Sequence, residues 1–176
     1  MDLSKISRGP NPPRDIHVVI EVPGGGSPVK YEMDKDSGAL FVDRILFTPM
    51  HYPCNYGFMP QTLSDDGDPV DVLVVGREAL VPGVVIRCVP VGVLMMEDDA
   101  GQDEKVLAVP HAKIDPYYAD VQQYSDLPAN LIDKIGHFFG HYKDLEPGKW
   151  VKIAGWGDAA KAEEMIEAAI KRYETA

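Results

Sequence analysis

The pattern of hydrophobic and polar positions changes period once along the chain. "IHVVIEVP" at 16–23 is an apolar run closed by Pro23 and three glycines, the mark of a strand with a hard stop. "VKYEMD" at 29–34 then alternates strictly. Val29, Tyr31 and Met33 point to one side of a strand, and Lys30, Glu32 and Asp34 to the other. "DSG" at 36–38 reads as a turn and "ALFVDRIL" as a third strand, which carries Arg44. Further strands are expected at 70–75, at 84–97 after the "VPG" turn, and at 104–109. Pro90 should split or bend the long one, because it has no N–H to give to a ladder.

From Leu127 the period becomes helical. Leu131, Ile135, Phe138, Phe139 and Tyr142 form one apolar stripe, with Asp126 as the expected cap and Pro128 in the first turn. That helix ends near "DLEPGKW", "WVKIA" is a short strand, and Asp158 caps a last helix at 158–175. Its stripe is Ala162, Met165, Ile166, Ala169, Ile170 and Tyr173. Strands first and helices later predict an α+β fold, mainly β, with an antiparallel sheet or barrel and helices packed at one side. No repeat or interdomain linker is visible. A single domain over 1–176 is expected, with residues 1–14 as an irregular, Pro-rich lead-in.

Charge narrows the function. Twenty-eight acidic against seventeen basic residues give a net −11, which repels phosphate backbones and anionic lipid. No apolar stretch reaches the roughly 18 residues of a membrane span, and no signal-peptide core is seen, so a cytoplasmic protein is expected. Cys54 and Cys88 form no CxxC pair and read as reduced, partly buried thiols. Met95 and Met96 read as core.

"DDGDPVDVLVV" from Asp65 sets four aspartates within seven residues against an apolar strand. Hard oxygen donors at spacings of two and three suit a divalent cation, with Asp66, Asp68 and Asp71 as candidates. A solvated acidic β-turn fits the same letters. An EF-hand does not, since the register from Asp66 puts Asp71 where the turn glycine belongs and Arg77 at the glutamate position. A second acidic group, "EDDAGQDEK" at 97–105, follows the long strand. If Asp98 and Asp103 converge on the first group, five aspartates could hold more than one metal. Tyr52, Tyr56 and Tyr142 beside Lys30, Arg44, Lys105 and Lys143 would supply donors to a highly charged phosphate. Metal carboxylates and anion-binding cations together suggest phosphoryl transfer. A nucleoside polyphosphate hydrolase lacks support from any Gly-rich P-loop. An acidic Ca²⁺-binding module leaves the cations unexplained, and the net charge weighs against an oligonucleotide-binding barrel.

"DGDPVDV" at 66–72 resembles the signature of soluble family I inorganic pyrophosphatases. "VKYEMDKDSGALFVDR", "MHYPCNYGF", "PVGVLMMEDDAGQDEKVLAVP" and "HYKDLEPGKWVK" are similar to the bacterial members in the same order, over residues 15–156. The resemblance implies a five-stranded OB-like β-barrel with two flanking C-terminal helices, and Mg²⁺-dependent hydrolysis of pyrophosphate to two orthophosphates by in-line attack. It implies that Asp66, Asp71 and Asp103 hold the tighter metal, with Asp71 bridging to a second, and that Asp68 is the general base. Asp98 and Asp103 would bind a third ion and Glu32 help hold a fourth, giving three to four Mg²⁺ per site with substrate. Lys30, Arg44, Tyr56, Lys105, Tyr142 and Lys143 would bind the phosphates, while Glu21 and Tyr52 support. Similar bacterial proteins are homohexamers, so "HFFGH", with His137 and His141 one turn apart, is expected at a subunit contact. It lacks the glutamate of a zinc-hydrolase helix.

Overall fold

The computed structural model describes all 176 residues. Nine strands form: β1 (Ile16–Val22), β2 (Val29–Met33), β3 (Leu40–Ile45), β4 (Asn55–Phe58), β5 (Asp71–Val74), β6 (Val85–Asp98), β7 (Gly101–Gln102), β8 (Lys105–Pro110) and β9 (Val151–Asp158). Two helices follow the main strands, α1 (Ala129–His141) and α2 (Ala159–Thr175).

Five strands close a ring in the order β1, β4, β5, β8, β6 and back to β1. This is the closed five-stranded arrangement expected from the resemblance. The ring closes because β6 is fourteen residues long and serves several partners. One edge carries β1 along Val85–Cys88 and β9 along Gly92–Asp98; the other carries β8 along Cys88–Leu94. Pro90 bends β6 without splitting it, since the register with β8 slips between Pro90 and Gly92 and the strand runs on. At Gly57 the backbones of β1 and β4 approach so closely that a Cβ would lie 1.9 Å from the Val19 carbonyl oxygen. Only glycine fits there.

The sheet is not purely antiparallel, as the sequence pattern had suggested. β5 and β8 run parallel, Val72 opposite Val106 and Val74 opposite Ala108. Both strands read as unbroken apolar runs because both of their faces are buried. Val72, Val74, Val106 and Ala108 pack with Ala162, Ile166 and Ala169 of α2; Leu73, Val75, Leu107 and Val109 pack with Ile135, Phe138 and Phe139 of α1.

Several local expectations change. Asp126 does not cap α1; its carboxylate accepts the Gln122 and Gln123 N–H groups at 3.0 and 2.9 Å, closing a tight turn just before the helix. Pro128 stands at the cap position without a side-chain bond. β9 runs on to Asp158, which caps α2 by accepting the Lys161 N–H at 2.9 Å, and the stripe of α2 ends before Tyr173, which is exposed. The lead-in is anchored: Leu3 and Ile6 pack against Val19, Met33 and Phe58, and the Met1 ammonium donates to the Gly38 carbonyl at 2.9 Å.

Candidate active site

β5 and β8 start side by side. Because they are parallel and Val72 faces Val106, the residues one step earlier, Asp71 and Lys105, stand together at the same end of the sheet. Lys105 is 3% exposed, and its ammonium donates to Asp71 and to Asp103 at 2.5 Å each. Burial opposes its charge, but the two carboxylates outweigh burial and hold it protonated, its pKa raised.

The loop entering β5 brings Asp66 and Asp68. Gly67 takes φ +93, and the Asp68 N–H donates to the Asp66 carboxylate at 2.9 Å, so the two side chains are set by a compact turn. The end of β6 adds Asp98, which accepts from Lys143 just beyond α1 at 2.7 Å. Burial works against the Asp98 charge; the Lys143 ammonium and the Ala100 N–H overcome it, and the pKa falls.

The two-stranded sheet of β2 and β3 forms the other wall. Alternation in β2 puts Lys30 and Glu32 on one face, 3.3 Å apart, and Lys30 also donates to Asp43 at 3.1 Å. Arg44 donates to Asp43 and to Glu146, both at 2.9 Å. Glu146 Oε2 is buried and has no partner. Glu21, 6% exposed near the end of β1, accepts the Met33 N–H at 2.7 Å. Burial pushes its carboxyl up to about 8, with Asp71 and Glu32 adding to the effect.

Aromatic rings back the cavity. Tyr52 packs on Tyr56 at 5.4 Å and Phe138 at 4.7 Å, and Tyr142 stacks on Phe138 at 5.1 Å. Burial raises all three phenols, so they stay protonated and can donate.

All fourteen residues singled out from the sequence line one cavity of about 200 Å³. Sequence reasoning missed Lys35, at the turn between β2 and β3, whose ammonium contacts the Asp68 carboxylate, and Gln102. It also missed Asp43 and Glu146 as the partners that hold Arg44. A lysine in "DKDSG" carries no signal of its own, because charged turn residues are ordinary solvated positions.

The lining holds seven acidic and five basic side chains. No three carboxylates are drawn tightly enough together to enclose an ion. The donor chemistry nevertheless suits a hard divalent cation. It is all oxygen, two members already share one positive group in Lys105, and Asp66, raised chiefly by burial and then by Asp68, Asp71 and Asp103, has no cation beside it. His137 and His141 lie outside this cavity with rings 4.5 Å apart, and His141 Nδ1 is 2.8 Å from Asp144 Oδ2. Cys54 and Cys88 are buried and free, and burial pushes the Cys54 thiol up to about 12.

Comparison with known proteins identifies the family. The family model for inorganic pyrophosphatase matches residues 18–174. The inorganic pyrophosphatase of Caulobacter vibrioides is 60% identical over 98% of both chains, and that of Agrobacterium fabrum 60% over 99% of both. Among solved structures, an inorganic phosphatase from Anaplasma phagocytophilum superposes with a TM-score of 0.95 at 54% identity, covering 97% of this chain and 99% of that one. The Thermus thermophilus inorganic pyrophosphatase gives 0.93 at 44% identity over 99% of both. With its fold and nearly its whole length matched, this chain belongs to the inorganic pyrophosphatase family.

Proposed function

We propose that the protein is a magnesium-dependent inorganic diphosphatase, hydrolysing pyrophosphate to two orthophosphates by direct in-line attack of water on phosphorus. The observation that carries this reading is the meeting of seven carboxylates and five cations on one aromatic-backed cavity in a chain of this family. Asp66, Asp71, Asp98, Asp103 and Glu32 would hold the three to four ions bound with substrate. The chemistry that magnesium supplies when bound is positive charge against the anionic oxygens and acidification of the attacking water.

The chain's own groups do the rest. Asp68, on a turn at the cavity mouth and 65% exposed, would take the proton of the attacking water as general base. Lys30, Arg44, Lys105 and Lys143 bind and orient the two phosphates and stabilise charge on the leaving one. The phenols of Tyr56 and Tyr142, kept protonated by burial, donate to phosphate oxygens. Tyr52 holds Tyr56 in place, and Glu21 fixes β2 through the Met33 N–H.

The test is orthophosphate release from pyrophosphate with Mg²⁺, with EDTA and with Asp68→Asn. Release that needs Mg²⁺ and drops at least about a hundred-fold in the variant supports metal and base together. Release unaffected by EDTA removes the metal, and an active Asp68→Asn protein removes the base.

The protein is further proposed to be one catalytic domain, cytoplasmic and homohexameric. No helix is long and apolar enough to cross a membrane. Phe41, Val42, Ile45 and Phe47 are each more than half exposed, an apolar strip that a neighbouring subunit would cover. Native mass measurement tests the assembly, and a hexamer unchanged in His141→Ala would remove the histidine pair from the contact.

A further inference from the structure

Four of the five cations lining the cavity are tethered. Lys105 is held by two carboxylates, Lys30 by Glu32 and Asp43, Arg44 by Asp43 and Glu146, and the Lys143 side chain is only 12% exposed on Asp98. Lys35 differs. It touches one carboxylate, that of Asp68, and its side chain is 48% exposed.

The backbone beneath it is well held. The Asp34 carboxylate accepts the Ser37 N–H at 2.8 Å and the Ser37 hydroxyl at 2.5 Å. Gly38 takes φ +66 and donates to the Asp34 carbonyl at 2.8 Å, and the Met1 ammonium grips the Gly38 carbonyl. A rigid turn therefore presents a long, flexible, cationic side chain at the mouth of an anion-binding cavity.

Resting on the function proposed above, we infer that Lys35 is a further phosphate-binding residue, which leaves Asp68 for a phosphate oxygen when the substrate enters. A pyrophosphate oxygen carries more charge than one carboxylate oxygen and offers the ammonium the stronger bond. The exchange also frees both oxygens of Asp68 for the attacking water. Anion binding and release of the base become one event, and Lys35 adds a fifth positive group to a cavity whose acids outnumber its bases.

The experiment compares Lys35→Gln and Lys35→Arg with the parent protein in excess Mg²⁺, reading KM and kcat for pyrophosphate and, by calorimetry, the affinity for orthophosphate. Lys35→Gln should raise KM and weaken orthophosphate binding about ten-fold, the loss of one half-exposed charge-assisted hydrogen bond. The kcat value should move less than about three-fold, and Lys35→Arg should recover most of the affinity. KM and orthophosphate affinity within two-fold of the parent overturn the inference. So does a fall in kcat alone, which would confine Lys35 to its contact with Asp68. A parent protein that fails to hydrolyse pyrophosphate defeats the proposed function instead, and orthophosphate binding still decides the role of Lys35. Lys35→Cys followed by aminoethylation provides a check free of folding differences, because Cys54 and Cys88 are buried and position 35 alone reacts. Restored affinity supports the inference, and unrestored affinity in modified protein opposes it.

Discussion

Lys105→Met removes the one cation that sits between Asp71 and Asp103 while keeping the length of its stem. The lysine is 3% exposed and makes two ion pairs at 2.5 Å, so its loss leaves two partly buried carboxylates facing each other without a positive charge between them. Breaking a buried pair by deleting one partner costs about 3–5 kcal/mol. The Asp71 and Asp103 side chains remain 26% and 18% exposed, so solvent relieves part of the repulsion and the lower end, about 3 kcal/mol, is expected. Urea unfolding with EDTA at neutral pH measures it, read against parent protein under the same conditions. Adding Asp71→Asn to Lys105→Met should return part of the loss, because the second carboxylate then faces an amide. Excess Mg²⁺ should do the same by restoring positive charge. A Lys105→Met protein within about 1 kcal/mol of the parent in EDTA would refute the argument that this lysine neutralises the pair.

Asp15 and Arg87 form a two-bond pair at 2.7 and 2.5 Å away from the cavity, and the Arg87 guanidinium holds the Asp15 carboxyl below its ordinary 3.8. A depressed carboxyl stabilises the fold above the unfolded-state value and loses that contribution as pH falls through the folded-state value. Asp15→Asn should therefore lower stability at pH 7, by no more than about 1 kcal/mol because solvent screens the pair, in urea unfolding. The gap should narrow as the pH drops below 3.8, and a gap independent of pH would contradict the pairing. Gly57→Ala forces a methyl group onto the Val19 carbonyl and should destabilise by at least about 2 kcal/mol in the same assay, with loss of activity following the loss of fold. Phe139→Ala, at a side chain 1% exposed that packs near Tyr56 and Tyr142, should cost about 3–5 kcal/mol and weaken pyrophosphate binding as the phenols lose their backing.

Much of the molecule could be read before its structure was seen, and for a definite reason. Whether a position is buried is a property of one residue and its near neighbours, so burial leaves a periodic trace. The alternation of β2 placed Lys30 and Glu32 on one face, and the stripe in α1 marked Ile135, Phe138 and Phe139 as core. The dense, ordered motifs named fourteen residues that line a single cavity. Helix ends were less legible, since Asp126 bonds to Gln122 and Gln123 where a cap to α1 was expected. Several short acidic side chains can satisfy more than one set of backbone donors, and only the path of the chain chooses between them.

The sequence by itself determined fourteen of the side chains that line the cavity, through its ordered motifs, and which faces the core would take. Tertiary structure alone decided that β5 and β8 run parallel, and hence that Asp71 and Lys105 meet although thirty-four positions separate them. It also decided that Lys35 reaches Asp68 and that Glu146 holds Arg44. An apolar run buried on both faces reads the same in either direction, so its pairing direction has no local signature. Which charges meet across the cavity depends on closing the ring through β6, a balance of long-range contacts that no window of the sequence contains.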